Sequence, residues 1–134
     1  MGIGFSVSRA RQRVDAFGSG PIGLEDVSRY LEQVSAAGAY EFDHVVDLRA
    51  AEFLADAAAV RRAVLEERAR LHLGPEPHTA LVATVGTPTH QTARELAASF
   101  TADGALVAVF STLVQAEVWL EQVESADSER KRGD

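Results

Sequence analysis

Asp47 and Arg49 stand two residues apart at the end of the short apolar run Phe42-Asp43-His44-Val45-Val46-Asp47-Leu48-Arg49. Side chains alternate along an extended chain, so an acid and a base at this spacing point to the same side. Two more apolar runs end in reactive residue types: Thr79 to Val85 leads into Gly86, Thr87 and His90, and Ala105 to Phe110 leads into Ser111 and Thr112. If the three runs are strands of one open α/β sheet, their carboxyl ends form the edge at which such sheets bind ligands. A hydrolytic reading of that edge uses His90 as proton carrier and Asp47 as its orienter. Thr87 or Ser111 is then the nucleophile, and Arg49 or helix amides hold an anion. Each residue also has a structural role open to it: Asp47 and Arg49 can pair, Thr87 can cap a helix, and His90 can stand exposed in a first turn. Asp56, ahead of an alanine-rich segment, completes the candidate edge as a helix cap whose charge suits the positive end of the helix dipole.

Composition removes several other chemistries. With no cysteine there is no disulfide, thiolate nucleophile or cysteine-bound zinc. His44, His72, His78 and His90 lack the paired spacing of a zinc motif, so no metal is expected, and no cofactor either. Val85-Gly86-Thr87-Pro88 is too short for a phosphate loop and lacks its Gly-Lys-Ser/Thr. A net charge of -7 argues against broad binding to nucleic acid or anionic membranes. No apolar run approaches the roughly 20 residues of a membrane span, and the start lacks the pattern of a signal peptide. The expected location is the cytoplasm.

The elements that must position these residues follow from pattern. At 134 residues with 46% hydrophobic content, a single domain with a real core is expected. Ile3 to Phe17 reads as two short strands in a hairpin around Ser8 to Arg11. Arg9, Arg11 and Arg13 could line one face of a strand as an anion site, or charge a solvated edge strand against aggregation. Gly18, Gly20, Pro21 and Gly23 should break the chain before a helix. In that helix Leu24, Val27, Leu31 and Val34 recur at steps of three and four, and Gly38 ends it. Tyr30 and Tyr40 read as packing or rim residues rather than catalytic phenols, no partner being visible for either.

Phe42 to Arg49 is apolar on both faces and so reads as a central strand covered above and below. Ala50 to Ala55 reads as a loop whose Phe53 and Leu54 tuck against the core. A second helix follows, with Val60, Ala63, Val64 and Leu71 inward and mixed charges outward. Thr87 with Pro88 starts a third helix over Ala93, Leu96, Ala97 and Phe100. Thr112 with Gln115 forms a capping box for a fourth helix, on which Leu113, Ala116, Leu120 and Val123 share one face. Residues 1–123 make the domain, and the charged tail 124–134 is expected to be disordered. The class is α/β: an N-terminal β-hairpin, then repeated strand-helix units, giving a mixed sheet of four or five strands with about four helices.

Several local phrases resemble the SpoIIAA-like or STAS-type domains, especially the small bacterial STAS/SEC14-like proteins. They are Gly20-Pro21-Ile22-Gly23-Leu24-Glu25-Asp26, Val45-Val46-Asp47-Leu48-Arg49, and Leu113 to Leu120. The resemblance spans roughly Phe5 to Val123 in layout and implies a class better known for binding and regulation than for chemistry. The anti-sigma antagonists of that superfamily carry a phosphorylated serine or threonine around the start of the helix after the central strand. Here Arg49 to Arg61 contains neither, and Asp56 is the residue that could imitate a fixed negative charge there. The leading expectation is therefore a non-enzymatic interaction or regulatory module with a protein partner or a second copy of itself. The alternative is a small-ligand or lipid-binding domain taking a small apolar ligand; the hydrolase-like reading ranks third.

Overall fold

The computed structural model describes residues 2–132. Its element order is β1 (Gly2–Ser8), β2 (Arg13–Ile22), α1 (Leu24–Ala36), β3 (Asp43–Phe53), α2 (Ala57–Arg70), β4 (Thr79–Val82), α3 (Pro88–Ala102), β5 (Val107–Phe110) and α4 (Leu113–Arg132). The five strands lie in the order β1-β2-β3-β4-β5. β1 and β2 are antiparallel, and β2-β3, β3-β4 and β4-β5 are parallel. This is the mixed α/β arrangement expected from the pattern, with β3 as its central strand.

Alternation along the strands divides the core. Val14, Ala16, Val46, Leu48, Leu81 and Val107 turn to one face and pack with the buried stripes of α1, α2 and α3. Val45, Ala80 and Val82 turn to the other face and pack with Ala116 and Leu120 of α4. A strand apolar on both sides thus has a helical layer over each of them.

Four expectations are corrected. The Gly18 to Gly23 stretch does not break the chain at its start: β2 runs through to Ile22, pairing with β3 across a register irregularity between Phe17 and Ser19. Glycine is needed there for closeness, because a Cβ on Gly18 would lie 3.3 Å from both Ala51 Cβ and Leu48 Cδ2. Ala50 to Phe53 is strand rather than loop, since that extended β2 gives it a partner; Phe53 packs on the core, but Leu54 is 67% exposed. The arginines form neither an anion site on a strand nor a charged edge. Arg9 and Arg11 fall in the turn between β1 and β2, while Arg13 lies on the second strand, 2% exposed, with Nη1 3.4 Å from Glu117 Oε1 of α4. The hairpin turn is faintly marked in sequence because its left-handed position, φ 51°, is filled by Gln12 instead of glycine or asparagine. Finally, α4 continues to Arg132, so residues 124–132, expected to be a disordered tail, are helical. Glu, Ala, Arg and Lys propagate a helix readily once its first turns are held by packing.

Gly18→Val is expected to destabilise the fold by about 1–3 kcal/mol through overpacking between β2 and β3. Gly4→Val, where an added Cβ meets nothing within 4 Å, should stay within about 0.5 kcal/mol. Urea unfolding of the two variants checks this, and equal losses would contradict the close approach at Gly18.

Candidate functional site

Register brings the ends of the parallel strands together, pairing Phe17 with Asp47 and Asp47 with Val82, and Val82 with Phe110. The six expected residues then separate into three pairs by what their side chains do. Arg49 donates from Nε to Asp47 Oδ1 at 2.9 Å and from Nη2 to Oδ2 at 2.8 Å, a two-pronged pair reinforced by the Arg49 backbone N–H. The Arg49 hydrogen bonds hold the Asp47 carboxyl below the usual carboxylate range. Among the described residues the Asp47 carboxylate bonds to Arg49 alone, so it is not joined to His90.

Thr87 and Asp56 are helix caps. Thr87 Oγ1 accepts the His90 N–H at 3.1 Å and donates to Thr84 O at 2.7 Å, with Pro88 opening α3. Asp56 Oδ1 accepts the Ala59 N–H at 2.9 Å. Each cap satisfies an amide that the helix itself leaves unpaired. The capping box at α4 is displaced by one residue: Thr112 Oγ1 accepts the Gln115 N–H, while Gln115 Oε1 accepts both the N–H and the hydroxyl of Ser111.

His90 and Ser111 do come together. They line an open groove of about 570 Å³ between the sheet's carboxyl edge and α4, with Val85, Phe110, Val114, Val118 and Trp119. Val85 is 68% exposed and Val114 71%. The groove is thus largely apolar, with His90, Ser111, Gln115 and Gln122 as its polar lining.

A second cluster, in the core, was not expected. His44 is buried, and its Nε2 lies 2.9 Å from the Tyr40 carbonyl oxygen while Nδ1 lies 2.8 Å from the Tyr30 hydroxyl. A carbonyl only accepts, so Nε2 carries the proton and the Tyr30 hydroxyl donates to Nδ1. Burial pushes His44 down to about 4, the bond to the Tyr40 carbonyl opposing it. Burial, and then the charges of Glu76 and Asp15, hold Tyr30 well above the ordinary tyrosine range. Burial pushes Glu76 up to about 6, against the nearby Arg68 charge and the Thr79 hydroxyl 3.5 Å away. Two signals could have found this cluster. Tyr30 keeps helical step with Val27 and Val34, and His44 shares a strand face with Val46 and Leu48, where a lone histidine requires partners. Glu76, between two prolines, gave none.

His44 and Glu76 oppose each other in acid. His44 titrates lower in the fold than its ordinary 6.5, so its contribution is present above pH 6.5 and is lost as pH falls toward 4. Glu76 titrates higher than its ordinary 4.5, so its contribution is present below pH 4.5 and is lost as pH rises through 6. Moving a titration midpoint by one pH unit is worth about 1.4 kcal/mol, so the wild type should lose only about 1 kcal/mol between pH 7 and pH 4.5. Glu76→Gln removes the compensation and should lose about 2 kcal/mol over the same interval. Urea titrations at the two pH values check this; an identical pH dependence in both proteins would contradict it.

No protein-family profile matches the chain, and no curated protein does. Solved structures do. An uncharacterised protein of the DUF3478 family with a SpoIIAA-like fold, from Shewanella loihica PV-4, superposes with a TM-score of 0.61 at 17% identity, over 89% of this chain and 93% of that one. An anti-sigma factor antagonist from Mycobacterium paratuberculosis superposes with a TM-score of 0.55 at 19% identity, over 89% and 94% of the two chains. At such identities the likeness speaks for architecture, and the chain has a SpoIIAA-like fold.

Proposed function

We propose that this chain is a non-enzymatic interaction and regulatory module that docks a protein partner in the groove between α4 and the carboxyl edge of the sheet. The observation that carries the reading is the apolar exposure there: Val85, Val114 and Val118 stand open to solvent around Phe110 and Trp119. A contiguous apolar patch of this kind, with a few polar groups among it, is the usual signature of a recognition surface. The likeness in fold to an anti-sigma factor antagonist supports a protein as the occupant.

The residues of the edge enter this reading with different tasks. His90 and Ser111 supply the polar contacts of the groove. Asp47 with Arg49, Thr87 and Asp56 fix the strand exit and two helix starts beside it, which keeps the surface preorganised and lowers the ordering cost of binding. A hydrolytic site is disfavoured, because the carboxylate that would orient His90 is held by Arg49.

Affinity capture from the cells that make the protein tests the reading when paired with variants. The double variant Val114→Asp with Val118→Asp is expected to weaken capture of the partner at least about tenfold, as loss of a central apolar anchor does. Leu54→Asp, equally exposed but outside the groove, should leave capture unchanged. Undiminished capture by the double variant would overturn the docking surface, and sedimentation of the purified chain tells whether a second copy is the partner.

A further inference from the structure

On the α1, α2 and α3 side of the sheet, the core holds a cavity of about 110 Å³, partly open to solvent. Val27, Leu31, Val46, Leu48, Leu81 and Leu96 are among the apolar side chains of its wall, and its polar groups come from Tyr30, His44, Glu76, Thr79 and Tyr40, whose hydroxyl faces Gly74 O at 3.5 Å. The hydrogen bonds already made decide what those groups can still offer. Both His44 nitrogens are engaged, and the Thr79 hydroxyl proton goes to Pro77 O at 2.8 Å. Tyr30 gives its proton to His44, which leaves its oxygen free to accept. Glu76 Oε2 is buried with no hydrogen bond, its nearest cation being Arg68 Nη1 at 3.7 Å. The polar end of the chamber therefore presents acceptors that lack a donor, and unpaired buried acceptors are rare and costly.

An outer recess of about 420 Å³ lies against this chamber, lined by Leu65, Arg68, Pro75, His78 and Leu106 among others. Glu76 and Phe100 line both spaces.

We propose that the chamber binds a small neutral molecule made of one apolar ring, or a chain of similar size, bearing a single hydroxyl. The apolar body fills the wall of valines and leucines, and the hydroxyl donates to Glu76 Oε2 or to the Tyr30 oxygen. Size follows from volume: an apolar cavity of about 150 Å³ holds benzene in another protein, so this chamber admits one small ring at most. Neutrality follows from the wall, since a charged ligand would be desolvated against it. One hydroxyl follows from acceptors that want a donor. The site is separate from the docking groove, and its success or failure leaves the groove's reading intact.

Methyl resonances of the full chain, titrated with phenol and separately with toluene at pH 7, test the assignment. Phenol is expected to shift the Val27, Val46 and Leu81 methyls saturably and at least tenfold more tightly than toluene, which has the ring without the donor. No saturable shift at millimolar phenol, or equal affinity for toluene, would overturn the proposal. Tyr30→Phe, where its spectrum shows it folded, should reduce the preference for phenol; if that variant does not fold, the wild-type comparison decides alone.

Discussion

A neutral imidazole, held from both sides inside an apolar core, is the constraint to which the other elements conform. His44 stands at the start of the central strand and is bonded to Tyr30 of α1 and to the backbone at Tyr40. The rings reinforce this arrangement, with Tyr30 and Tyr40 both meeting His44 edge-on and Phe5 of β1 meeting Tyr30 in the same way. Leaving either nitrogen unpaired would cost about 1–3 kcal/mol. The cluster therefore fixes both the rotation of α1 and the register of β3 relative to it. It also sets the chemistry of the interior: an imidazole that stays uncharged adds no free donor to the chamber beside it.

The two faces of the sheet are unequal, and the difference bears on function. Three helices cover the inner face across its width. The single outer helix packs against β3, β4 and β5, reaching β2 through the ion pair of Arg13 with Glu117. Beyond it Phe17 is half exposed, and an added Cβ at Gly4 would meet only open space. Beside the carboxyl edge of the sheet, Val114 and Val118 of α4 are exposed. The proposed docking groove and the proposed ligand chamber thus lie on different sides of one sheet. Among the described residues no helix is long and apolar enough to cross a membrane.

The architecture is legible in the sequence because its signals are local. Alternation and full-face hydrophobicity mark β3, β4 and β5; periodicity marks the helices; and Asp56, Thr87 and Thr112 announce their helix starts by residue type. What is not legible depends on pairing partners distant in the chain. Gly18 to Ile22 carries turn residues, yet it becomes strand because β3 lies beside it. Arg13 looks like a surface charge until α4 brings Glu117 to it. Asp47 and Arg49 can be placed at the strand exit from pattern, but pattern leaves both a pair and a catalytic carboxylate open. Only the fold shows the guanidinium occupying both carboxylate oxygens. The interior cluster escapes a reading that takes the tyrosines one by one, although His44 on an apolar strand face is itself a demand for partners.

Histidine nitrogen shifts measured across pH 4 to 8 test the central claim most directly, since they report tautomer and charge together. His44 is expected to keep its proton on Nε2 with Nδ1 as acceptor, and to stay neutral until the pH nears 4, where burial places its titration. Protonation of His44 near its ordinary 6.5, or a proton resting on Nδ1, would contradict it.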